Sequence, residues 1–396
     1  MKQFKIPQQL NSSFIQSIHD LRNQNDPLKK DWSPTRLCYT SLEIKLARHF
    51  GFCFGVKNAV EKIYHIAEVN AGKTIYLISE MIHNPDVNKD LADAGIQFIQ
   101  TEKGEQLIPW SDIANDSIVV TPAFGTTLEI QELLANKNIA FKSFDTTCPF
   151  VERVWKKGAK LQTEEHTIIL HAKINHEETR ATFSRLAANT VIVQNMKEAQ
   201  ELCSALLKDE KWKKLENRTA PSFDYKKAFK KVGVINQTTM LAEETQAIAD
   251  LFEKTILQLN KDKRDISFTA TRDTLCYATN DNQKAAQELI QSGNDIAIVI
   301  GGVNSSNTTH LAELFRERNP TFYLRNQSDL IDQNQIQHFE NQNWFTTEDY
   351  FPKKEKPVIA ISAGASCPDR IIEEVIQKIL HFHSKNDEIH SAEIVF

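Results

Sequence analysis

Three cysteines stand in matching surroundings along the chain. Cys148 lies in DTTCPF, between a hydrophobic run with strand character (IAFKSFD) and a charged, periodic run with helix character (FVERVWKKGAKLQ). Cys53, in HFGFCFGVKNAVEKIYHIA, opens onto a helical pattern too, as does Cys276, in TRDTLCYATNDNQKAAQELI, just past the strand-like ISFTA. A helix N-terminus stabilises negative charge and lowers a thiol pKa, which favours a thiolate ligand. Three thiolates suit a soft metal site, zinc or an iron–sulfur cluster. Three ligands rather than four leave one metal position open, as catalytic sites do. Any one of these cysteines alone reads more simply as a small core residue. Their recurrence in like settings favours convergence on one iron–sulfur cluster.

The remaining cysteines carry weaker signals. Cys203 falls on the apolar face of a helix pattern (EAQELCSALL), Cys38 has no counterpart elsewhere, and Cys367 follows the polar turn GAS. No CxxC pair occurs, which argues against a zinc finger or ribbon. Without a secretory signal, spaced cysteines in a long chain are more often ligands or core residues than disulfides.

Polar residues in turns supply the second set of candidates. His83 (EMIHNPDV) and His176 (KINHEET) lie on turns, where an imidazole N–H can donate to a phosphate oxygen. Ser305, Ser306 and Asn307 precede a helix pattern and offer hydroxyl, amide and helix N-terminal donors to an anion. Simple N-capping is the competing reading and is compatible with binding. Ser366, in SAGASCPD, is equally ambiguous. Glu178, two residues past His176, is a candidate general acid or else a solvated helix-start carboxylate. Thr238 and Thr239 end a strand in NQTTM, where a hydroxyl touches a ligand or caps the next helix.

The elements that position these residues repeat three times. Each of Cys53, Cys148 and Cys276 is followed by a helix, then, about 20 residues on, by a strand (TIYLIS, TIILHA, DIAIVIGG) and a polar turn. A later strand in each unit ends in another small polar turn: SIVVTPAFGTT, KVGVINQTTM and PVIAISAGAS. Such recurrence at long period reads as three related domains. Alternating strands and helices imply parallel sheets covered on both faces, with ligands beyond the strands' carboxyl ends. The expected fold is α/β: a trefoil of three related parallel-sheet domains around a central metal cluster. The expected boundaries are an N-terminal extension over 1–43, domains over 44–147, 148–275 and 276–385, and a tail over 386–396. A charged, aromatic surface insertion is expected at about 208–230.

Composition narrows the class. The 396 residues are ordinary for a globular protein, with a formal net charge of −5, so no global field draws in nucleic acid. No stretch approaches a membrane span, and the N-terminus lacks an apolar signal core, so a cytoplasmic location is expected.

Together, FGFCFGV, EMIHNP, TPAFG, DTTCP, INHEET, NQTTML, CYAT, GGVNSSNTTHL and SAGAS resemble the 4-hydroxy-3-methylbut-2-enyl diphosphate reductase family, in its plant and cyanobacterial branch. The resemblance runs in order from about Leu46 to Leu380. It implies one [4Fe–4S] cluster per chain on Cys53, Cys148 and Cys276, and reductive removal of a C4 hydroxyl to give isopentenyl and dimethylallyl diphosphates. It implies that His83, His176, Ser305, Asn307 and Ser366 hold the diphosphate, with Ser306 beside them. Glu178 would supply protons with Thr238 and His176, Thr279 would line the site, and ferredoxin or flavodoxin would donate electrons. One position departs from the bacterial pattern: Phe124 stands where AHG has a histidine, and Gly125, Thr126 and the next helix N-terminus are the candidates to compensate. The alternatives are a quinolinate synthase-like three-cysteine enzyme, a non-enzymatic iron–sulfur redox sensor and a zinc hydrolase.

Overall fold

The computed structural model describes residues 10–225, 228–259, 267–269, 274–384 and 387–396. Parts of the expected insertion (226–227), of the run before Cys276 (270–273) and of the expected junction with the C-terminal tail (385–386) lie outside the described residues. The chain divides into two compact units. One comprises the chain up to Tyr64, Ile82–Lys89 and Tyr277–Phe396; the other comprises His65–Met81 and Asp90–Cys276.

The first unit is built on a six-stranded sheet. Its parallel part runs Thr321–Leu324, Ile296–Ile300, Val358–Ala363, Glu43–Leu46. Thr35–Cys38 then adds antiparallel to Glu43–Leu46, and Glu393–Val395 closes the edge. Ile296–Ile300 (IAIVI) is buried along its whole length, as a strand covered on both faces must be. The helix Asp369–His383 faces the core with Ile371, Ile372, Val375, Ile376, Ile379 and Leu380, the three-and-four spacing of one helical face.

Residues 1–43 are set apart in the sequence as an extension; residues 1–9 lie outside the described residues, and the rest of that segment contributes to this core. Ser12 caps the helix Ser13–Asn25 by accepting the Ile15 N–H at 2.9 Å. Phe14, Ile15 and Ile18 pack in the same cluster as Ile44 and Leu46. Arg22, buried, closes the segment by donating to Asp31 at 2.7 Å and to the Ser33 carbonyl at 2.8 Å.

The second unit carries two parallel sheets. One orders Gln97–Phe98, Ile75–Leu77, Ile118–Val120; the other orders Thr190–Val193, Thr167–His171, Lys231–Asn236, Ser267–Thr269. The described part of the 208–230 insertion is anchored rather than loose: Trp212, Leu215 and Phe229 are buried in that unit's core, and Arg218 pairs with Glu198 at 2.8 Å.

The threefold grammar is visible in the backbone. Helices begin one residue after each cysteine, at Phe54, Pro149 and Tyr277. The two repeated strands are parallel neighbours in each of these three sheets: Ile75–Leu77 with Ile118–Val120, Thr167–His171 with Lys231–Asn236, Ile296–Ile300 with Val358–Ala363. The protein is thus α/β with mostly parallel sheets. One expectation is corrected. IAFKSFD is not a strand: Phe141–Phe144 is a 3-10 turn, and only an isolated bridge joins Thr121 to Asp145. Phe141 is the only residue of that turn that is buried, so no alternating face exists to hold a strand.

Candidate functional site

Each of the three cysteines is held in the same way. The Cys53 N–H donates to the Ala365 carbonyl at 3.1 Å, the Cys148 N–H to Ala123 at 2.9 Å, and the Cys276 N–H to Thr238 at 3.3 Å. Those acceptors lie in the turns after the later strands: SAGAS, TPAFG and NQTTM. The pairing is cyclic, because each cysteine is tied to the turn of the preceding repeat and the first is tied to the last. Cys148 is itself the N-cap of Pro149–Thr163, with proline at the first helical position. The Cys53 sulfur accepts the Val56 N–H at 3.4 Å. Burial pushes the Cys53 thiol up, and the backbone N–H groups of Val56 and Gly55 pull it back.

Among the described residues, no group of three or more His, Cys, Asp or Glu side chains forms a metal cage. The donor set nevertheless fits an iron–sulfur centre. All three cysteines stand at helix starts, and backbone N–H groups aimed at Cys53 are the hydrogen bonds that stabilise a cluster-bound sulfur. Cys203 is core, as expected, and Cys367 is buried with its thiol donating weakly to the Pro368 carbonyl at 3.7 Å.

The first unit gathers five of the candidate anion-binding residues. Ser305 caps the helix Ser306–Arg316 by accepting the Thr308 N–H at 3.3 Å, which leaves its own hydroxyl proton to donate elsewhere. The Asn307 Oδ1 accepts the Ala365 N–H at 2.9 Å, and Ser366 donates its hydroxyl to the His83 carbonyl at 3.0 Å. The Gly302 turn passes so close to His83 that a Cβ there would collide with the His83 carbonyl oxygen. His83, Ser305, Ser306, Asn307 and Ser366 are all buried. The Asn307 Nδ2, also buried, has no hydrogen-bond partner. An orphaned amide donor at a helix N-terminus, among serines, fits an oxyanion.

The second unit holds the candidate acid. Glu178, 1 % exposed, stands at the start of the helix Glu177–Leu186. Its Oε1 accepts the Thr238 N–H and its Oε2 the Thr238 hydroxyl, both at 2.7 Å. The Glu178 N–H donates to His176 Nδ1 at 3.2 Å, so a neutral His176 carries its proton on Nε2. Phe124 sets its ring edge-on to His176, centroids 5.5 Å apart, and so acts as a wall for the imidazole. Its neighbours have other engagements. Gly125 adopts φ 77° against Trp155, the Thr126 carbonyl accepts from Arg185 at 2.7 Å, and the Leu128 N–H donates to Ser184 at 3.2 Å.

Gln237 escaped the sequence reading. Its buried Oε1 accepts the Lys173 N–H at 3.0 Å and the Thr179 hydroxyl at 3.3 Å, bracing the turn that carries His176 and Glu178. The only signal was its place in NQTTM. Thr279 is buried on the helix Tyr277–Gln291.

Polar turns after the carboxyl ends of parallel strands, and cysteines at the mouths of helices, are the features of an α/β enzyme scaffold. The model of the LytB protein family matches residues 44–380, and the chain belongs to that family. It is 37% identical over 384 residues to 4-hydroxy-3-methylbut-2-enyl diphosphate reductase of Trichormus variabilis, covering 95% of this chain and 92% of the relative. It is 37% identical over 373 residues to the same-named protein of a Synechocystis species, covering 92% and 93%. Among solved structures, the Plasmodium falciparum E-1-hydroxy-2-methyl-but-2-enyl-4-diphosphate reductase shares the fold with a TM-score of 0.62 at 22% identity, covering 86% of this chain and 89% of that one. A second solved reductase, described as the terminal enzyme of the non-mevalonate pathway, gives 0.51 at 25% identity, covering 86% and 99%. These matches lend no support to the quinolinate synthase-like, redox-sensor or zinc-hydrolase readings. Among the described residues, no helix is long and apolar enough to cross a membrane.

Proposed function

We propose that this chain reduces 4-hydroxy-3-methylbut-2-enyl diphosphate to isopentenyl and dimethylallyl diphosphates, in the cytoplasm, with ferredoxin or flavodoxin as electron donor. Cys53, Cys148 and Cys276 would hold one [4Fe–4S] cluster per chain. When bound, it supplies electrons singly and a Lewis-acidic iron at the departing oxygen. The cyclic tethering of the three cysteines supports this ligand set.

The protein's own groups bind the substrate and move its protons. His83, Ser305, Ser306 and Asn307 donate to the diphosphate oxygens, Ser366 joins them by turning its hydroxyl from the His83 carbonyl to the ligand, and His176 adds its Nε2–H. The C4–O bond breaks, two electrons and two protons enter, and water leaves. Glu178 protonates the departing hydroxyl, and the Thr238 hydroxyl, already on its Oε2, keeps that carboxyl aimed.

One observation carries the reading. Thr238 spends its N–H and hydroxyl on Glu178 and its carbonyl on the Cys276 N–H, so one residue ties the acid to a cluster cysteine. Anaerobic reconstitution, with iron and sulfide determined alongside turnover by a reduced dye, tests it. Cys148→Ser should lose cluster and turnover together. Full iron content in that variant, or no turnover by loaded wild-type protein, would reject the assignment.

A further inference from the structure

A polar cavity is lined wholly by residues of the first unit. Its volume is about 380 Å³, in the range of small-molecule sites. The helix Ser13–Asn25 forms one wall through His19 and Asn23, the Arg48–Phe54 segment another, and Asp281, Asn282 and Asp369 the far side. None of the diphosphate candidates lines it.

Two of its lining side chains are buried donors with unmet hydrogen bonds. Arg48 is 4 % exposed; its Nη2 is ion-paired with Asp26 at 3.5 Å, and its Nε has no hydrogen-bond partner. The two Asp26 oxygens are shared with the backbone, accepting the N–H groups of Lys30 and Asp31 at 3.0 Å. Asn282, also 4 % exposed, leaves its Nδ2 without a partner. A buried guanidinium with its Nε unmet and a buried amide without an acceptor are costly, and that cost is relieved when an oxyanion takes those protons. Lys29 and Lys57 line the same space and add positive charge. His19, stacked on Phe50 with centroids 4.8 Å apart, and His49 are both held neutral. Burial first, then the Arg48 charge, pushes each down to about 4, so they offer N–H groups without adding charge.

We propose that this cavity binds a small phosphate- or carboxylate-bearing metabolite, its anionic end on Arg48 and Asn282. Hydroxyl or amine groups at the other end meet Asp281 and Asp369. The occupant rests on Phe52 and Cys53, so it bears on the turn that presents one of the cysteines.

Calorimetric titration of the full chain with orthophosphate, and separately with malonate, at constant ionic strength tests this. The Asn307→Ala background removes the other anion cradle from the measurement. One of the two anions should show a saturable site there, and which one does identifies the anionic group. Arg48→Met should weaken that binding about tenfold or more, the scale of a charge-assisted hydrogen bond. Because Arg48 is buried, thermal unfolding checks that variant's fold. The exposed Lys57→Gln, with an expected loss of several-fold, keeps the test decisive if Arg48→Met misfolds. Absence of a saturable site for both anions overturns the proposal. So does binding that Arg48→Met and Lys57→Gln leave unchanged.

Discussion

Glu178 and Thr238 are joined twice, by the Thr238 N–H on Oε1 and the Thr238 hydroxyl on Oε2, each at 2.7 Å. The two residues come from different strand ends of one parallel sheet, Thr238 beyond Lys231–Asn236 and Glu178 beyond Thr167–His171. A carboxyl fixed on both oxygens cannot rotate, so its proton is delivered from one place. Glu178→Gln should lower kcat by about 10²–10⁴-fold, the usual worth of a positioned acid, with little change in KM. Thr238→Ala keeps the N–H bond and loses the hydroxyl, so its fall should be smaller. Steady-state kinetics with a reduced dye measure both, and equal kcat in wild type and Glu178→Gln would remove Glu178 from the mechanism.

Asn307 has one end satisfied and the other waiting. Its Oδ1 holds the Ala365 N–H, while its buried Nδ2 has no partner. Asn307→Asp retains the acceptor but replaces the donor with negative charge. It should raise KM about tenfold or more while leaving the thermal midpoint close to wild type. An unchanged KM would show that the diphosphate binds elsewhere.

Ile18 tests the place of the N-terminal segment. It is 1 % exposed in the core shared with Ile44 and Leu46. Ile18→Ala should cost about 2–4 kcal/mol in urea unfolding. Leu28→Ala, at a position 73 % exposed, should stay within about 0.5 kcal/mol. Equal stability of the two variants would mean that the segment is dispensable to the core.

Glu198 gives a pH signature. Burial alone would raise its pKa, but Arg218 at 2.8 Å, the Gln194 N–H at 3.0 Å and Lys214 at 3.3 Å prevail and lower it to about 2. The folded state therefore binds this proton less readily than the unfolded chain. The stabilisation is full above the ordinary value of 4.5 and fades as pH falls towards 2. Glu198→Gln should flatten the acid limb of stability across that window, read from urea midpoints at successive pH values.

Much of the site was legible in local pattern. Helices that begin just after Cys53, Cys148 and Cys276, and strands that end in NQTTM, VNSSN and SAGAS, are written in hydrophobic periodicity and turn residues a few positions apart. Local sequence also placed Ser305 at a helix cap. IAFKSFD misled because alternation signals a strand only where a sheet offers it a face.

What the chain alone determined was therefore the repeated unit and the kinds of side chain at its mouth. Tertiary structure alone decided that Glu43–Leu46 would pair with Val358–Ala363, that the Cys53 amide would rest on Ala365, and that Arg48 would line a cavity under the N-terminal helix. Those contacts join residues remote in sequence. They depend on which apolar faces cover one another, and no nearby residue records that choice.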